Sequence, residues 1–447
     1  MRIAISLLSV VALGLCAWAQ DVAQSSEESS VHEPVQIPLL KQNSLALISE
    51  LERSNYVSAG VSAGMTFDDN ALNASNDHSS NLADSFSGNI SLAQTRSRLR
   101  WDLSYGGGVI LNQNIHTDLE PAHDLSLNGQ YRLSPHVTIL INEHFLRTTG
   151  LYYANQGLTP FFEGLQGSNQ TAVLPLSKMT GNTSSAELGY QFGRNSKVGM
   201  SGDFNLQRYS DEPIGTSPLV DSNTLRADAF YVHRLAAKNW AGVLYRYQKF
   251  TFPSLPNRTV VHSILLMDTM SLSHHMEISL FAGPEQVNNT VPVSAASTTV
   301  NSATATTATS TRMNWSPAAG GSFSMNGVRT SFVADATRMV DDGGGLLGTV
   351  QLTSASVNIR HQFTGSFFGG GGLLYGDSKD VSGSGSSFSS LQVYGAVSRT
   401  LWNNVTVTLG YSLALQQEAL RTNGSKDINH NRAWGTVSYN FTRPLGK

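Results

Sequence analysis

The chain has 447 residues, a formal net charge of -3 and charged side chains at only 14% of its positions. This balance argues against a nucleic-acid partner, which would call for a basic surface, and against a disordered acidic tail. Cys16 is the only cysteine, so neither a disulfide framework nor a thiolate metal site is expected.

Residues 1–19 are predicted to be a secretory signal peptide. Arg2 precedes an apolar run that ends at Gly14, and Ala17-Trp18-Ala19 supplies small residues at the cleavage positions. The alternative is a lipoprotein signal acylated at the cysteine, but the preceding leucine is bulky for that position. No other stretch of the sequence offers the roughly 18 consecutive apolar residues that a membrane helix requires.

Residues 20–54 are predicted to form a periplasmic N-terminal tail. The segment is polar at first and contains Pro34 and Pro38, and then Leu40, Leu47 and Leu51 follow at roughly helical spacing. A loose tail with one short helix is the first interpretation. A small plug that enters the following domain is the alternative.

Residues 55–447 alternate between apolar and polar positions. Between Val405 and Leu415 every odd position is apolar, and the even positions hold Thr, Gly, Ser and Ala. A period of two indicates a strand with one apolar face, and the run matches the roughly nine to eleven residues that a tilted strand needs to cross a bilayer. About 18 such strands recur, joined alternately by tight turns and longer connections. The pattern predicts an all-β, closed antiparallel transmembrane β-barrel with short periplasmic turns and long extracellular loops.

This arrangement resembles the bacterial outer-membrane porins. Gly435, Val437, Tyr439 and Phe441 share one face of the last strand, as in the closing strand that the barrel-assembly machinery recognises, although residues 442–447 depart from the usual terminal Phe. The resemblance implies outer-membrane lipid and the assembly machinery as partners, and small polar solutes as cargo. A barrel that secretes exopolysaccharide and an outer-membrane barrel hydrolase are the alternatives.

No residue pattern indicates catalysis, metal binding or a cofactor. The run from Gly60 to Gly64 matches the Gly-x-Ser-x-Gly spacing of hydrolases, but it lies inside an alternating strand rather than at a strand-to-helix turn. The carboxylates Asp68, Asp341 and Asp342 are interpreted as solvated turn residues rather than as ligands of a divalent ion. We therefore expect a protein that is not an enzyme and holds no cofactor.

Charged residues on the polar parity are predicted to line an aqueous lumen, because a basic side chain facing lipid costs roughly 2 to 4 kcal/mol at the bilayer midplane. The predicted pore-lining residues are Arg98, Arg100, Asp102, Arg132, Glu187, Asp203, Arg226, Asp228, Arg234, Arg246, Arg329, Asp335 and Arg360. Their excess of arginines over carboxylates predicts a weak preference for anions. The alternative is that they pair with one another and stiffen the wall.

Two long connections differ in composition. The one from Thr149 to Gly181 is the longest and is rich in aromatic and aliphatic residues, so we predict that it folds inward and narrows the channel, with a lid across the outer mouth as the alternative. The predicted constriction residues are Tyr152, Tyr153, Phe161, Phe162 and Glu163. The connection from Pro284 to Ser310 consists largely of Ser, Thr, Ala and Val, and we predict a mobile surface loop there.

Aromatic residues recur near the predicted strand ends, which is typical of the two interfacial girdles of a membrane barrel. Those near the short turns are Phe192, Trp240, Phe363, Trp402 and Phe441, and those near the long loops are Tyr105, Tyr209, Tyr247, Phe252 and Tyr375.

Overall fold

The computed structural model of the chain describes residues 55–73, 78–115, 120–149, 171–175, 177–210, 219–255, 257–293, 308–381, 385–402, 404–420 and 424–445. The predicted signal peptide and N-terminal tail lie outside these residues. The strands are β1 (Tyr56–Asp68), β2 (Asn81–Thr95), β3 (Leu99–Asn112), β4 (Glu120–Arg132), β5 (Val137–Thr149), β6 (Lys178–Phe192), β7 (Ser196–Ser210), β8 (Ser222–Ala236), β9 (Asn239–Thr251), β10 (Arg258–Ser273), β11 (Met276–Val293), β12 (Ala308–Asn326), β13 (Thr330–Gly343), β14 (Leu347–Thr364), β15 (Phe367–Asp380), β16 (Ser387–Trp402), β17 (Val405–Leu420) and β18 (Gly424–Pro444).

Each strand pairs antiparallel with the next one along the chain, and β18 returns to pair with β1. The closing ladder runs from Tyr56 opposite Pro444 to Asp68 opposite Arg432. All 18 strands therefore belong to one closed sheet without a free edge. The predicted closed antiparallel barrel and its strand number are confirmed.

The short connections are tight because their residues satisfy the turn geometry locally. Gly193 in the β6–β7 turn has a φ of 73°, a left-handed conformation that costs glycine little. In the β4–β5 turn the Ser134 hydroxyl oxygen accepts from the backbone N–H groups of His136 and Val137, at 3.2 and 3.1 Å. The β4–β5 turn is therefore a serine turn, in which a side-chain oxygen replaces a backbone acceptor.

The apolar parity faces outward on every side of the barrel. On β17, for example, Leu409 is 59% exposed and Tyr411 is 50% exposed, and Val61, Met200 and Leu266 on other strands behave similarly. An apolar exterior of this extent requires lipid, and a closed barrel satisfies its backbone hydrogen bonds internally, as the bilayer demands. The chain is therefore a transmembrane β-barrel of the type found in the bacterial outer membrane.

No α-helix in the described part of the chain is long and apolar enough to cross a membrane.

The predicted loop from Pro284 to Ser310 is wrong at both of its ends, which belong to strands. Strand β11 continues from Pro284 to Val293 and pairs with β12 from Pro317 back to Ala308, so only residues 294–307 are left between the strands. The composition misled the prediction because Thr and Val favour strands even without an apolar face to bury. Strand β10 runs beside this extension as far as Arg258 opposite Thr290, so only the last three residues of β11 extend past it.

A hydrophobic core occupies the long-loop half of the barrel interior. Phe250, Phe252, Val261, Val287 and Val340 form one buried cluster contributed by β9, β10, β11, β13 and the residues after β9. Phe252 is therefore inside the barrel rather than in the predicted outer girdle. The same applies to Tyr209, which packs against the buried Leu146 and Met179.

Candidate functional site

In the short-turn half of the barrel, predicted pore-lining residues make isolated contacts with their neighbours on the inner face. Glu187 pairs with Lys197 at 2.8 Å, and Asp102 accepts a hydrogen bond from Asn128, also at 2.8 Å. The Arg360 guanidinium lies 5.1 Å from the centroid of the Phe368 ring. These side chains remain partly exposed, as the interior of this half is not filled by other described residues.

Three other predicted pore-lining residues lie at the short turns. Arg98 and Arg329 are exposed residues of the β2–β3 and β12–β13 turns, directly before the first residues of β3 and β13. Their carbonyl oxygens accept from the backbone N–H groups of Arg132 and Gln362, and their pore-lining role stays a prediction. Arg234 lies two residues before the end of β8 and donates to the carbonyl oxygens of Ala236 and Ala237, at 3.2 and 2.6 Å.

A band of buried charge crosses the inner face of β7, β8 and β9. Arg246 donates from Nε and Nη2 to the two carboxylate oxygens of Asp228, at 2.9 Å each, and both side chains are fully buried. Arg226 lies 3.5 Å from Asp203, and Gln248, with its amide oxygen turned toward Arg226, accepts from it at 3.2 Å. These predicted pore-lining residues therefore lie together on the inner face of the wall, where they pair with one another.

Glu285 extends this band to β11 and connects it with β13. Its carboxylate accepts from the Ser263 hydroxyl and from the backbone N–H of Val340, both at 3.1 Å. Glu285 is completely buried. The Glu285 carboxylate thus binds a wall serine on one side and a backbone N–H of β13 on the other. These two contacts show that β13 lies against the inner wall at this level.

The upper part of the β13–β14 hairpin separates from β12 and leans into the lumen, while β14 stays paired with β15 as far as Val350 opposite Asp380. Strand β13 pairs with β12 only as far as Arg338 opposite Ala319, whereas the β11–β12 ladder continues to Val293 opposite Ala308. Beyond Arg338 the hairpin faces the inner surface of the wall. Asp335 lies below this point and accepts a hydrogen bond from Ser356 on β14.

The tip of this hairpin reaches β7 and β8. Asp342 accepts from the Ser222 hydroxyl at 3.3 Å, and the carbonyl oxygen of Gly345 accepts from the backbone N–H of Val220 at 2.8 Å. Gly345 has a φ of 90°, and a Cβ there would lie 2.5 Å from the Tyr209 hydroxyl oxygen. Only glycine fits this contact, because the backbone is left-handed and packed against a ring.

A second segment crosses the interior from the opposite direction. Residues 171–174 precede β6, yet Val173 makes two hydrogen bonds with the Gln416 side chain on β17, at 2.7 and 3.0 Å. The Val173 carbonyl oxygen also accepts from Asn73 at 3.1 Å. The Thr171 carbonyl oxygen accepts from Ser390 on β16. This segment is therefore fixed to the wall on the side of β16, β17 and β1.

The two segments meet inside the long-loop mouth. Ala172, Leu174 and Phe388 form a buried cluster, and Leu346 and Leu347 of the hairpin pack against it. These contacts join the hairpin tip to residues 171–174 across the interior. The junction is apolar at its centre and hydrogen-bonded at its attachment points.

Two of the three carboxylates interpreted from sequence as solvated turn residues are buried, and Asp341 is half-buried. Asp342 is 1% exposed inside the hairpin, and Asp68, also 1% exposed, lies 2.5 Å from His430 and 3.3 Å from Arg432 on β18. The Asp68 group joins the closing strands at their long-loop ends. No cluster suited to a metal ion occurs among the described residues.

Histidines on the lipid-facing side make hydrogen bonds to hydroxyl groups across the strands. His233 bonds Ser196 and His361 bonds Thr330 near the short turns, at 2.9 and 2.7 Å. Near the other rim His123 bonds Tyr105 at 3.0 Å. Within the described residues no carboxylate bonds His233, so this serine–histidine pair lacks the acid of a hydrolase triad.

The predicted constriction residues Tyr152, Tyr153, Phe161, Phe162 and Glu163 lie outside the described residues. Sequence reasoning missed the hairpin of β13 and β14 as an interior element. The run Gly343-Gly344-Gly345 was a usable signal, because consecutive glycines at a hairpin tip often mark a close backbone approach.

Comparison with known proteins gives no family model that matches and no curated protein that matches. Among solved structures, OpdQ of Pseudomonas aeruginosa has a TM-score of 0.42 at 10% identity, over 87% of this chain and 99% of that one. OpdK of the same organism, solved with vanillate, has a TM-score of 0.40 at 11% identity, over the same shares. The ferric-catecholate import receptor Fiu of E. coli K12 has a TM-score of 0.45 at 8% identity, over 87% and 82%. At these values the likeness extends to a barrel wall and no further.

Proposed function

We propose that the protein is an outer-membrane channel for small polar solutes. The observation that carries the proposal is a closed 18-stranded barrel with an apolar exterior and an inner face of charged and polar side chains. A barrel of this strand number is wide enough for an aqueous passage unless other segments fill it.

The hairpin tip and residues 171–174 are the narrowing elements of the proposed channel. The predicted constriction residues between them and β5, from Tyr152 to Glu163, are proposed to add to the same constriction. Because the described contacts converge at the long-loop mouth, we infer that solute size is selected there rather than at the short turns. Deleting residues 153–170 while keeping Thr171 tests the contribution of that segment.

We also propose a weak preference for anions, located in the short-turn half of the lumen. Arg100, Arg132 and Arg360 lie on the inner parity there, and two carboxylates of that half have partners, Glu187 pairing with Lys197 and Asp102 accepting from Asn128. Fixed positive charge in a pore with low-dielectric walls concentrates anions.

The channel proposal is tested by planar-bilayer recording of the purified protein. We expect discrete conductance steps, and swelling of reconstituted liposomes in small sugars and amino acids but not in large oligosaccharides. Folded protein, recognised by its resistance to heat in gels, that gives neither conductance nor swelling would contradict the proposal. Passage of extended polysaccharide alone would favour the secretion alternative.

The proposed orientation places the short turns in the periplasm. Single cysteines at Ser79 and Gln113, in long connections, should be labelled by a membrane-impermeant maleimide on whole cells. Cysteines at Ser97 and Lys238, in short turns, should be labelled only after the outer membrane is broken. The opposite pattern would invert the orientation, and Cys16 does not interfere if the signal peptide is removed.

A further inference from the structure

The short turns carry positive charge without matching negative charge. None of the eight connections at this rim, which follow the even-numbered strands β2 to β16, contains Asp or Glu. Within these turns and the three strand residues on either side, the cations are Arg96, Arg98, Arg100, Arg132, Arg194, Lys197, Arg234, Lys238 and Arg329, and the one carboxylate is Glu277. Arg443 lies at the same rim, near the end of β18. At the long-loop rim both signs occur side by side, as with Asp221 beside Arg208 and Asp377 beside Lys379.

Five of these cations are available to a partner. Arg98, Arg194, Lys238, Arg329 and Arg443 are exposed, and within the described residues none of them is paired with a carboxylate. They are distributed over turns around the circumference, from β2–β3 to the end of β18. A single protein partner would contact one sector of such a rim, whereas the surrounding lipid leaflet contacts all of it.

Apolar side chains project from the same turns. Val328, next to Arg329, is 94% exposed, Leu235 is 66% exposed, and Leu133 is 55% exposed. Trp402 at the end of β16 is 71% exposed. Apolar anchors alternating with cations are typical of segments that lie in the headgroup layer, with the apolar part toward the acyl chains. If these turns lay in water, the exposure of these apolar side chains would be unfavourable.

We propose that this rim, the basic short-turn rim, binds the anionic headgroups of the phospholipid leaflet that surrounds it. A basic residue close to an anionic lipid surface is attracted to it, and the attraction falls off within a Debye length. The proposal rests on the proposed orientation, in which the short turns meet the periplasmic leaflet. It does not depend on whether the lumen conducts.

The test uses quenching of tryptophan fluorescence by brominated lipids in vesicles. The full mature chain carries Trp315→Phe, which removes an exposed tryptophan of the long-loop half. Trp101 and Trp402 then remain as lipid-facing reporters near the rim, and Trp240 and Trp434 remain on the inner parity. Brominated phosphatidylglycerol and brominated phosphatidylcholine with identical acyl chains are compared at the same mole fraction. We expect phosphatidylglycerol to be preferred by on the order of threefold at low salt, with the preference lost at about 1 M salt.

Two variants locate the effect. Arg98→Gln with Arg194→Gln and Arg329→Gln should abolish most of the preference. The matched control, Lys178→Gln with Lys249→Gln and Arg258→Gln, removes three cations from long-loop ends of strands and should keep it. Equal quenching by both lipids, or a preference that survives the first variant, would overturn the proposal. If the first variant does not fold, a wild-type preference that persists in high salt overturns it instead.

Discussion

The short-turn end and the long-loop end of the barrel belong to the same strands but have different interiors. At the short-turn end polar side chains contact one neighbour each, as Glu187 contacts Lys197, and stay partly exposed. At the long-loop end the interior is packed, so that Arg246, Glu285 and Val340 have no exposed surface. The first end is a wall that holds water, and the second resembles the core of a soluble protein.

This difference arises from the segments that lie over the inner face of the wall at one end only. At the short turns, whose connections are two to four residues long, no described segment covers the wall. At the other end the β13–β14 hairpin, although its connection has only three residues, and residues 171–174 reach over the interior and bring apolar residues such as Leu346 and Leu174 with them. A barrel wall of one pattern thus has an uncovered inner face at one end and a packed interior at the other.

The largest expected effect is on the buried ion pair of the packed half. Asp228→Asn leaves the fully buried Arg246 without its carboxylate, and such a change costs roughly 3 to 5 kcal/mol of folding free energy. Glu187→Gln makes the same chemical change in the partly exposed pair with Lys197, where about 1 kcal/mol or less is expected. Urea unfolding in phospholipid vesicles measures both.

Equal destabilisation by these two substitutions would show that the two halves do not differ in packing. Asp228→Leu combined with Arg246→Met is a useful control, because removing both partners of a buried pair is often close to neutral. Recovery of most of the lost stability in that double variant would identify the stranded charge as the cause.

The next effect concerns the constriction. Gly345→Val should displace the hairpin tip, because its side chain would collide with the Tyr209 ring and its φ of 90° disfavours any β-branched residue. We expect single-channel conductance to rise about twofold or more, as the apolar contact at the mouth opens.

The matched control lies at the other end of the barrel. Gly193→Val meets the same kind of backbone strain, with a φ of 73°, but a Cβ there has no atom within 4 Å. It should destabilise its turn slightly and leave conductance unchanged. A larger conductance change from Gly193→Val than from Gly345→Val would place the constriction at the short turns and contradict the comparison.

The wall was predictable from sequence because its cause is local. Alternation along a strand such as Val405–Leu415 fixes which side chains face lipid, and register then carries the assignment to neighbouring strands. The prediction from composition is wrong after Pro284, where residues that resemble a loop in composition pair in a ladder.

The interior was not predictable in the same way, because its contacts join distant parts of the chain. Val340 and Glu285 are 55 residues apart, and Val173 and Gln416 are 243 apart. Nothing near Asp342 indicates that the side chain will be buried against Ser222 rather than solvated. Asp228 and Arg246 lie on the inner face, as the alternation predicts. Their pairing with each other, however, depends on the register of β8 and β9.

The smallest expected effect is on ion selectivity, and it also separates the lumen from the rim. Arg132→Gln with Arg360→Gln removes two inner-parity cations of the short-turn half, so reversal potentials under a salt gradient should shift toward cation preference. The shift should correspond to less than about a twofold change in permeability ratio, because exposed charges are screened within roughly 10 Å at 0.1 M salt. Arg98→Gln with Arg329→Gln removes the same charge from the turns, outside the strand wall, and should leave reversal potentials unchanged while weakening lipid preference. If this turn variant shifts the reversal potential as much as the lumen variant does, the two arginine sets act on the pore together, and the proposed division between lumen and rim fails.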